Sequence, residues 1–415
     1  MNVYIGIKHA NCDYMATIPQ RYPGKTHSVD PIKSTKPRIL LLIDEMKSIT
    51  DGGTERQILQ IARLLTQNDF SVTLATLRGT SWLTENIAGC PVYHANIGSL
   101  LTRRGVLGIS KFIAWMRHNK FHVMTTFFAE SNCLGAWLAI LSGIPALVGA
   151  RRNLGTCVAP QWKALLRISN RRVDRFHANC EAVRQHIMHA ENIAKDRIEV
   201  VYNGIDLTRY ECVRKTRQET RRELGIPDNA LVYGMVSGLR PEKRAKDFLE
   251  AARLVIQAHE STHIIIVGDG EQENELKEFV CHHHLSDRIH FVGAQTDVRP
   301  YLAVMDVGIL TSVSEGLSNS VLEYLASGLP VIATDVGGNM EAIGQAGILV
   351  PAMDVDALAA AMRRIQDDDL RSALSLKALE QIHIFSMEKA QHRLKFLYLS
   401  LLQEKTSISF PEQEK

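Results

Sequence analysis

The residues with the most chemical content lie in Ser314–Glu323, SEGLSNSVLE. Glu315 and Glu323 flank a short Gly/Ser/Asn loop. The apolar run Val307–Leu310 before it reads as a buried parallel strand. A strand, a polar loop and a helix start form an anion site, because free N–H groups and the positive end of the helix dipole face outward there. Carboxylates beside such a site accept hydrogen bonds from hydroxyl groups. Phosphate donors next to hydroxyl acceptors describe a site for a sugar nucleotide. Structural readings compete with this one. Ser320 and Glu323 also have the spacing of a capping box, and Glu315 alone reads as an exposed loop acid.

Further candidates follow other strand-like runs. Thr50–Glu55, TDGGTE, opens the first helix, and Gly52 and Gly53 let backbone N–H groups approach an anion closely. The spacing is not G-x-G-x-x-G, which disfavours a dinucleotide site. In Val236–Ala252, Arg240 and Lys243 stand near a strand end. An arginine there clamps a diphosphate by a forked contact and a lysine as a point charge, whereas the bland reading is a solvated basic turn. His282–His284 lacks partner ligands at useful spacing and reads as a solvated helix end. No D-x-D motif is present.

The elements that must position these residues alternate. Arg38–Ile43, RILLLI, is a buried-strand run, and the pattern continues through Gln57–Thr66 (helix), Ser71–Leu77 and Val92–His94 (strands), Ile109–Asn119 (helix), Val123–Thr126 (strand) and Leu134–Ser142 (helix). Ala146–Val148, Asp174–Ala178 and Ile198–Val201 read as later strands of the same sheet. A second series runs from Ala230–Val236 to Val331–Thr334, with helices at Ala245–Ala258, Asn274–His282 and Val321–Ser327 and later ones at Asp356–Gln366 and Glu388–Leu402. Repeated βαβ units predict α/β architecture: two doubly wound Rossmann-like domains with parallel sheets facing each other across a cleft. The expected divisions are an N-terminal extension at 1–36, a first domain at 37–210, a second at 211–385, and a returning helix with a tail at 386–415.

A chain of 415 residues suits two domains. Its net charge of +3 says little about partners and gives no reason to expect nucleic acid. The distribution is more telling, since residues 38–200 hold 20 Lys/Arg against 12 Asp/Glu. Seven scattered cysteines, with no C-x-x-C pair and no secretory signal before them, read as free thiols in a reducing, cytoplasmic setting. No uncharged apolar run is long enough to span a membrane.

Ser314–Ile343, SEGLSNSVLEYLASGLPVIATDVGGNMEAI, resembles the donor-site signature of retaining GT-B glycosyltransferases of the family 4 group (glycosyl transferases group 1). That signature has two glutamates separated by seven residues, then G-x-P-V-x-A-T, then GG-x-x-E. Glu315, Glu323, Gly328, Pro330, Val331, Ala333, Thr334, Gly337, Gly338 and Glu341 match it. The resemblance runs from about Pro37 to about Leu402. It implies a GT-B fold whose last helix returns to the first domain, and a UDP- or GDP-sugar as co-substrate, with no other cofactor and no metal. It implies that Glu323 holds the ribose hydroxyls and Glu315 faces the transferred sugar. Backbone N–H groups over Gly316, Leu317, Ser318, Asn319 and Ser320 would hold the distal phosphate. Lys243, Arg240 and the Gly52-Gly53 loop would stabilise the leaving diphosphate. Gly293 and Ala294 match the segment whose backbone reads the base.

Two departures stand out. The family often has an arginine where this chain has Gly238, so Arg240 is expected to serve instead. Where many members carry a cleft histidine, this chain has Glu130, Arg151 and Arg152, which become candidate contacts for an anionic acceptor such as a lipid diphosphate. The basic amphipathic stretches Trp162–Phe176 and Leu101–His122 read as surface helices, or as peripheral contacts with an anionic bilayer at the inner face of the cytoplasmic membrane. The expected activity is transfer of a sugar to a polysaccharide or lipid-linked oligosaccharide in cell-envelope or exopolysaccharide biosynthesis. Retention by same-face attack and retention by double displacement both remain open. So do two other readings, a GT-B sugar-nucleotide epimerase and a non-catalytic sugar-nucleotide-binding assembly subunit.

Overall fold

The computed structural model describes residues 36–46, 53–79, 89–98, 102–154, 160–210, 217–259 and 261–406. Gly52 and the expected extension up to residue 35 lie outside these ranges. The first domain begins with β1 (Arg38–Ile43), α1 (Gly53–Gln67), β2 (Ser71–Thr76) and β3 (Val92–His94). It continues with α2 (Arg103–Asn119), β4 (Val123–Thr126), α3 (Ala129–Ser142) and β5 (Ala146–Arg151). It closes with α4 (Pro160–Asn170), β6 (Arg175–Ala178), α5 (Glu181–Ala190) and β7 (Ile198–Val200).

The second domain opens with α6 (Arg217–Glu223), β8 (Leu231–Val236), α7 (Ala245–Ile256) and β9 (Thr262–Val267). Next come α8 (Glu273–His282), β10 (Ile289–Phe291), α9 (Arg299–Val304), β11 (Val307–Leu310) and α10 (Asn319–Ala326). It ends with β12 (Val331–Thr334), α11 (Asn339–Ile343), β13 (Gly347–Val350), α12 (Val355–Arg364) and α13 (Asp368–Gln381), and α14 (Met387–Lys405) follows.

Both sheets are wholly parallel. Their orders are β3-β2-β1-β4-β5-β6-β7 and β10-β9-β8-β11-β12-β13. Helices cover both faces, which explains why β1, β9, β11 and β12 are near-continuous apolar runs rather than alternating ones. The chain direction across each sheet reverses between β1 and β4 and between β8 and β11. Crevices open at the strand C-termini at such switch points, and the candidate residues sit there.

The two domains are stitched where the chain crosses between them. Ile205 N–H donates to Phe385 O (2.9 Å) and Met387 N–H to Ile205 O (3.1 Å), so entry and exit lie side by side. α14 then packs on the first domain, with Leu394, Leu397, Tyr398, Leu401 and Leu402 in one buried cluster with Ile39, Leu41 and Ile58. The Tyr398 hydroxyl meets Thr125 Oγ1 at 2.6 Å. At the other end of the interface, Glu341 on α11 accepts from Glu181 N–H at the start of α5 (2.7 Å) and from the Tyr202 hydroxyl. A carboxylate at a helix N-terminus is favoured by the dipole, so this contact ties one domain to the other.

Candidate active site

A cleft of about 510 Å³ lies between the domains. Its second-domain wall is built from the loops after β8 and β11. Lys243 ends a single 3-10 turn, Pro241–Lys243. Thr311 Oγ1 donates to Lys243 O (2.9 Å) and Val313 N–H to Glu242 O (2.9 Å), which locks the two loops together. The Lys243 ammonium then lies 2.5 Å from Glu315 Oε1, and the buried Ser312 hydroxyl donates to the same oxygen at 2.6 Å. Glu315 is buried, so the exposed-acid reading does not hold. Gly337 has φ +55°, and a Cβ there would stand 1.9 Å from Glu315 O, so only glycine lets α11 approach this loop.

The N-cap of α10 is Ser318, whose hydroxyl accepts from Val321 N–H at 3.5 Å. Ser320 instead donates to Val236 O (2.6 Å), which removes the Ser320–Glu323 capping-box reading. Glu323 faces the cleft one turn into α10, with Arg56 Nη1 of α1 3.8 Å away. Burial raises the Glu323 carboxyl above the ordinary range, and the Arg56 charge opposes that shift. Arg240 sits at the rim, half exposed and 3.2 Å from Glu242. A Cβ on Gly238 would lie 3.7 Å from Arg240 Nε, so the Arg240 side chain runs beside the space a residue-238 side chain would enter. Ala294 lines the cleft, and Gly293 O accepts from Gly268 N–H (2.9 Å) just behind it.

The first-domain wall is assembled from several strand ends. Gly53 opens α1, and its carbonyl accepts from Asn319 Nδ2 at 3.1 Å. Asn319 Oδ1 accepts from Asn203 Nδ2 (2.7 Å) and Gln57 Nε2 (3.2 Å), so one α10 side chain joins three points of the first domain. Asn203 also donates to Leu317 O (3.3 Å) and accepts from Arg152 Nη2. Arg152 is buried against the backbone of the loop before α10, since a Cβ on Gly316 would lie 2.2 Å from Arg152 O. Its Nε has no partner, and neither does Oδ1 of the buried Asn179, which also lines the cleft and donates to Arg152 O (3.2 Å). No carboxylate pairs with the Arg152 guanidinium among the described residues. Burial lowers its pKa to about 10, so it remains a cation at neutral pH. Behind it, burial and the Arg152 charge push His177 down to about 3, which keeps that imidazole neutral.

Two of the three acceptor candidates are engaged elsewhere. Successive strand residues point to opposite faces, and Arg151, the residue before Arg152, turns away from the cleft. It forms a buried pair with Glu191 (2.9 Å) and a bond to Asn170 Oδ1 (2.8 Å). Glu130 is the second residue of α3 and bonds Arg78 Nη1 at 2.6 Å, while its N–H and that of Ser131 donate to Asp44. Neither Arg151 nor Glu130 lines the cleft. The sequence reading missed Asn179, Asn203 and Arg56. The two asparagines follow β6 and β7 closely, so their place beyond strand C-termini was the available signal.

Two facing doubly wound domains, with the start of α10, the carboxylates Glu315 and Glu323 and the cations Arg56, Arg152, Arg240 and Lys243 lining the cleft between them, define a GT-B sugar-nucleotide enzyme. "Glycosyltransferase Family 4" matches residues 51–209 and "Glycosyl transferases group 1" matches residues 230–368. The chain belongs to the family 4 (group 1) glycosyltransferases. It is 25% identical over 394 residues to an Escherichia coli UDP-Gal:alpha-D-GlcNAc-diphosphoundecaprenol alpha-1,3-galactosyltransferase, covering 90% of this chain and 100% of that one. A lipopolysaccharide core biosynthesis glycosyltransferase, LpsD of Rhizobium meliloti, is 26% identical, with 82% and 93% covered. Among solved structures, Anabaena Alr3699/HepE in complex with UDP superposes with a TM-score of 0.76 at 21% identity, over 88% of this chain and 100% of that one. No helix among the described residues is long and apolar enough to cross a membrane.

Proposed function

We propose that this chain transfers a sugar, with retention of anomeric configuration, from a nucleoside-diphosphate sugar to a lipid-linked or polysaccharide acceptor. The observation that carries the reading is Glu315, held by Lys243 and Ser312 at the mouth of the α10 anion site, with the acid-free Arg152 across from it. UDP is the favoured nucleotide, because the E. coli relative is named for UDP-Gal and the Anabaena structures hold UDP, UDP-glucose, or UDP with glucose. The named acceptor of the E. coli relative, a diphosphoundecaprenol sugar, supports a lipid-linked acceptor and work at a membrane surface.

In this reading Glu323 accepts from the ribose hydroxyls and the backbone over Gly316–Ser320 receives the distal phosphate. Lys243 exchanges part of its contact with Glu315 for a phosphate oxygen. Arg152 and Arg240 flank the same diphosphate from the two domains. These fixed cations and dipoles stabilise the charge that grows on the leaving group, so the reaction proceeds without a metal. Glu315 lies beside the reacting face of the sugar. The leaving phosphate takes the proton of the incoming hydroxyl on that face, which retains configuration.

A thermal-shift series with UDP, GDP, ADP and their sugar conjugates tests the reading, with Glu323→Ala alongside. Ligand at a hundredfold its Kd adds about 2.7 kcal/mol to native stability, enough to rank the nucleotides. A uridine-specific shift that shrinks in Glu323→Ala supports the assignment. Well-folded protein that no nucleotide stabilises would refute it.

A further inference from the structure

Residues 102–172 hold 11 Lys/Arg and one acid, Glu130. Glu130 stands at the start of α3 and is paired with Arg78, so the rest of this segment is purely basic. α3 lies within it and is apolar nearly all round. One side of α3 packs into the first-domain core through Ala136, Leu138 and Ala139. Its opposite side presents Trp137, Ile140 and Leu141 to solvent, 48%, 54% and 48% exposed. Their i, i+3, i+4 spacing makes one continuous stripe. A surface helix ordinarily carries polar residues on that side.

The neighbouring helices extend the stripe and ring it with cations. α2 is pinned to the end of α3 by Arg117 Nε donating to Leu141 O at 2.8 Å. α4 is pinned by Ser169 Oγ donating to Cys133 O (2.5 Å), and the segment after α4 by Arg172 Nη2 donating to Pro145 O (3.2 Å). α4 adds Ile168, 50% exposed, between the exposed Lys163, Arg167 and Arg171. Those three cations form no ion pair among the described residues. α3 also begins beside the cleft, where its N-cap Phe128 is a lining residue.

We propose that the Trp137–Ile140–Leu141–Ile168 face, with Arg167, Arg171 and Lys163 around it, is a docking surface for an anionic lipid bilayer. The charge selects the occupant. An apolar stripe with cations at its border and no acid fits a surface that is apolar inside and negative at its headgroups. Tryptophan favours that boundary, and long basic stems lie along apolar surface while their heads reach phosphate. The inference deepens the lipid-linked-acceptor reading and rests on it, because the same helix joins the bilayer face to the cleft.

Co-sedimentation of the full chain with vesicles tests the surface. Wild-type protein is expected to sediment with phosphatidylglycerol-rich vesicles at low salt and to stay in solution with phosphatidylcholine vesicles. Arg167→Ala/Arg171→Ala should partition roughly thirtyfold more weakly, at the usual contribution of each basic residue near such a surface. Ile140→Asp/Leu141→Asp should abolish sedimentation. Both variants should keep the wild-type nucleotide thermal shift, which shows them folded with the sugar-nucleotide site intact. Wild-type levels of sedimentation in both variants, or none by the wild type, would overturn the surface. A wild-type dimer that Ile140→Asp/Leu141→Asp dissociates would overturn it too, by assigning the stripe to a second copy. A missing nucleotide shift in the wild type would instead strike the catalytic reading.

Discussion

On the second-domain wall of the cleft, Lys243, Ser312 and Glu315 satisfy one another before any ligand arrives. On the first-domain wall, Arg152 and Asn179 are as deeply buried but keep Nε and Oδ1 without partners. Leaving such groups unmade is expensive in a folded protein. The difference marks one wall as self-contained and the other as completed by what enters the cleft. It also separates two neighbouring arginines by role. Arg151 has a carboxylate, a carboxamide and the Phe176 ring 5.3 Å from its guanidinium carbon. Arg152 has one asparagine oxygen.

The largest break in this comparison comes from the self-contained wall. Glu315→Gln keeps the shape and removes the charge that Lys243 and Ser312 hold. Turnover should fall about a thousandfold if Glu315 faces the developing positive charge on the sugar, while sugar-nucleotide affinity changes little. Single-turnover kinetics beside a binding isotherm reads both quantities. Unchanged turnover would remove Glu315 from the chemistry and leave it as a support for Lys243.

Next in size is the arginine pair. Arg152→Ala should cost about a hundredfold in kcat/KM while leaving stability equal or higher, because it removes a buried cation that has no acid. Arg151→Ala should do the reverse. Burial alone would push Glu191 up, yet Arg151 and Asn170 hold its carboxyl below the usual range. Removing Arg151 strands that charge and should destabilise the fold by about 3–5 kcal/mol, with kcat/KM per folded molecule near wild type. Urea melts and steady-state kinetics on both variants decide the matter. A stability loss in Arg152→Ala matching that of Arg151→Ala would make both arginines structural.

The same contrast explains what the sequence disclosed. The second-domain wall is one contiguous strand–loop–helix, so Glu315, Ser318 and Glu323 are local in the chain and their chemistry is readable from spacing. β1, β8, β11 and β12 were legible too, because strands covered on both faces are near-continuous apolar runs. The first-domain wall draws Gly53, Arg152, Asn179 and Asn203 from four separate strand ends, and no local spacing links them. The Arg151–Arg152 doublet gave no hint which arginine faces the cleft, since that depends on where β5 ends. The missed helices were α5, α9 and α11, each only 5–10 residues long, and α13, whose polar and apolar residues are mixed around its circumference. The capping box failed because Ser318, two residues earlier, takes the cap and frees Ser320 for Val236.

The smallest effect expected concerns Glu323, where the two walls meet through Arg56. Burial raises this carboxyl above its ordinary value, and the Arg56 charge opposes the shift. Stability from its neutral form is present below the ordinary glutamate range and is lost as pH rises through the raised value. Nucleotide binding should run in the opposite direction. The ionised carboxylate accepts from the ribose hydroxyls more strongly than the neutral acid, so affinity rises with pH through the same window. A sugar-linked diphosphate is the right probe, because it has no terminal phosphate that titrates near about pH 6. Its Kd should tighten as pH rises through the raised value of this carboxyl, and Glu323→Gln should flatten the profile at the weaker end. A wild-type profile that is flat and coincides with that of Glu323→Gln would mean that the Glu323 charge takes no part in nucleotide binding. The ribose contact would then belong to another group on the same wall.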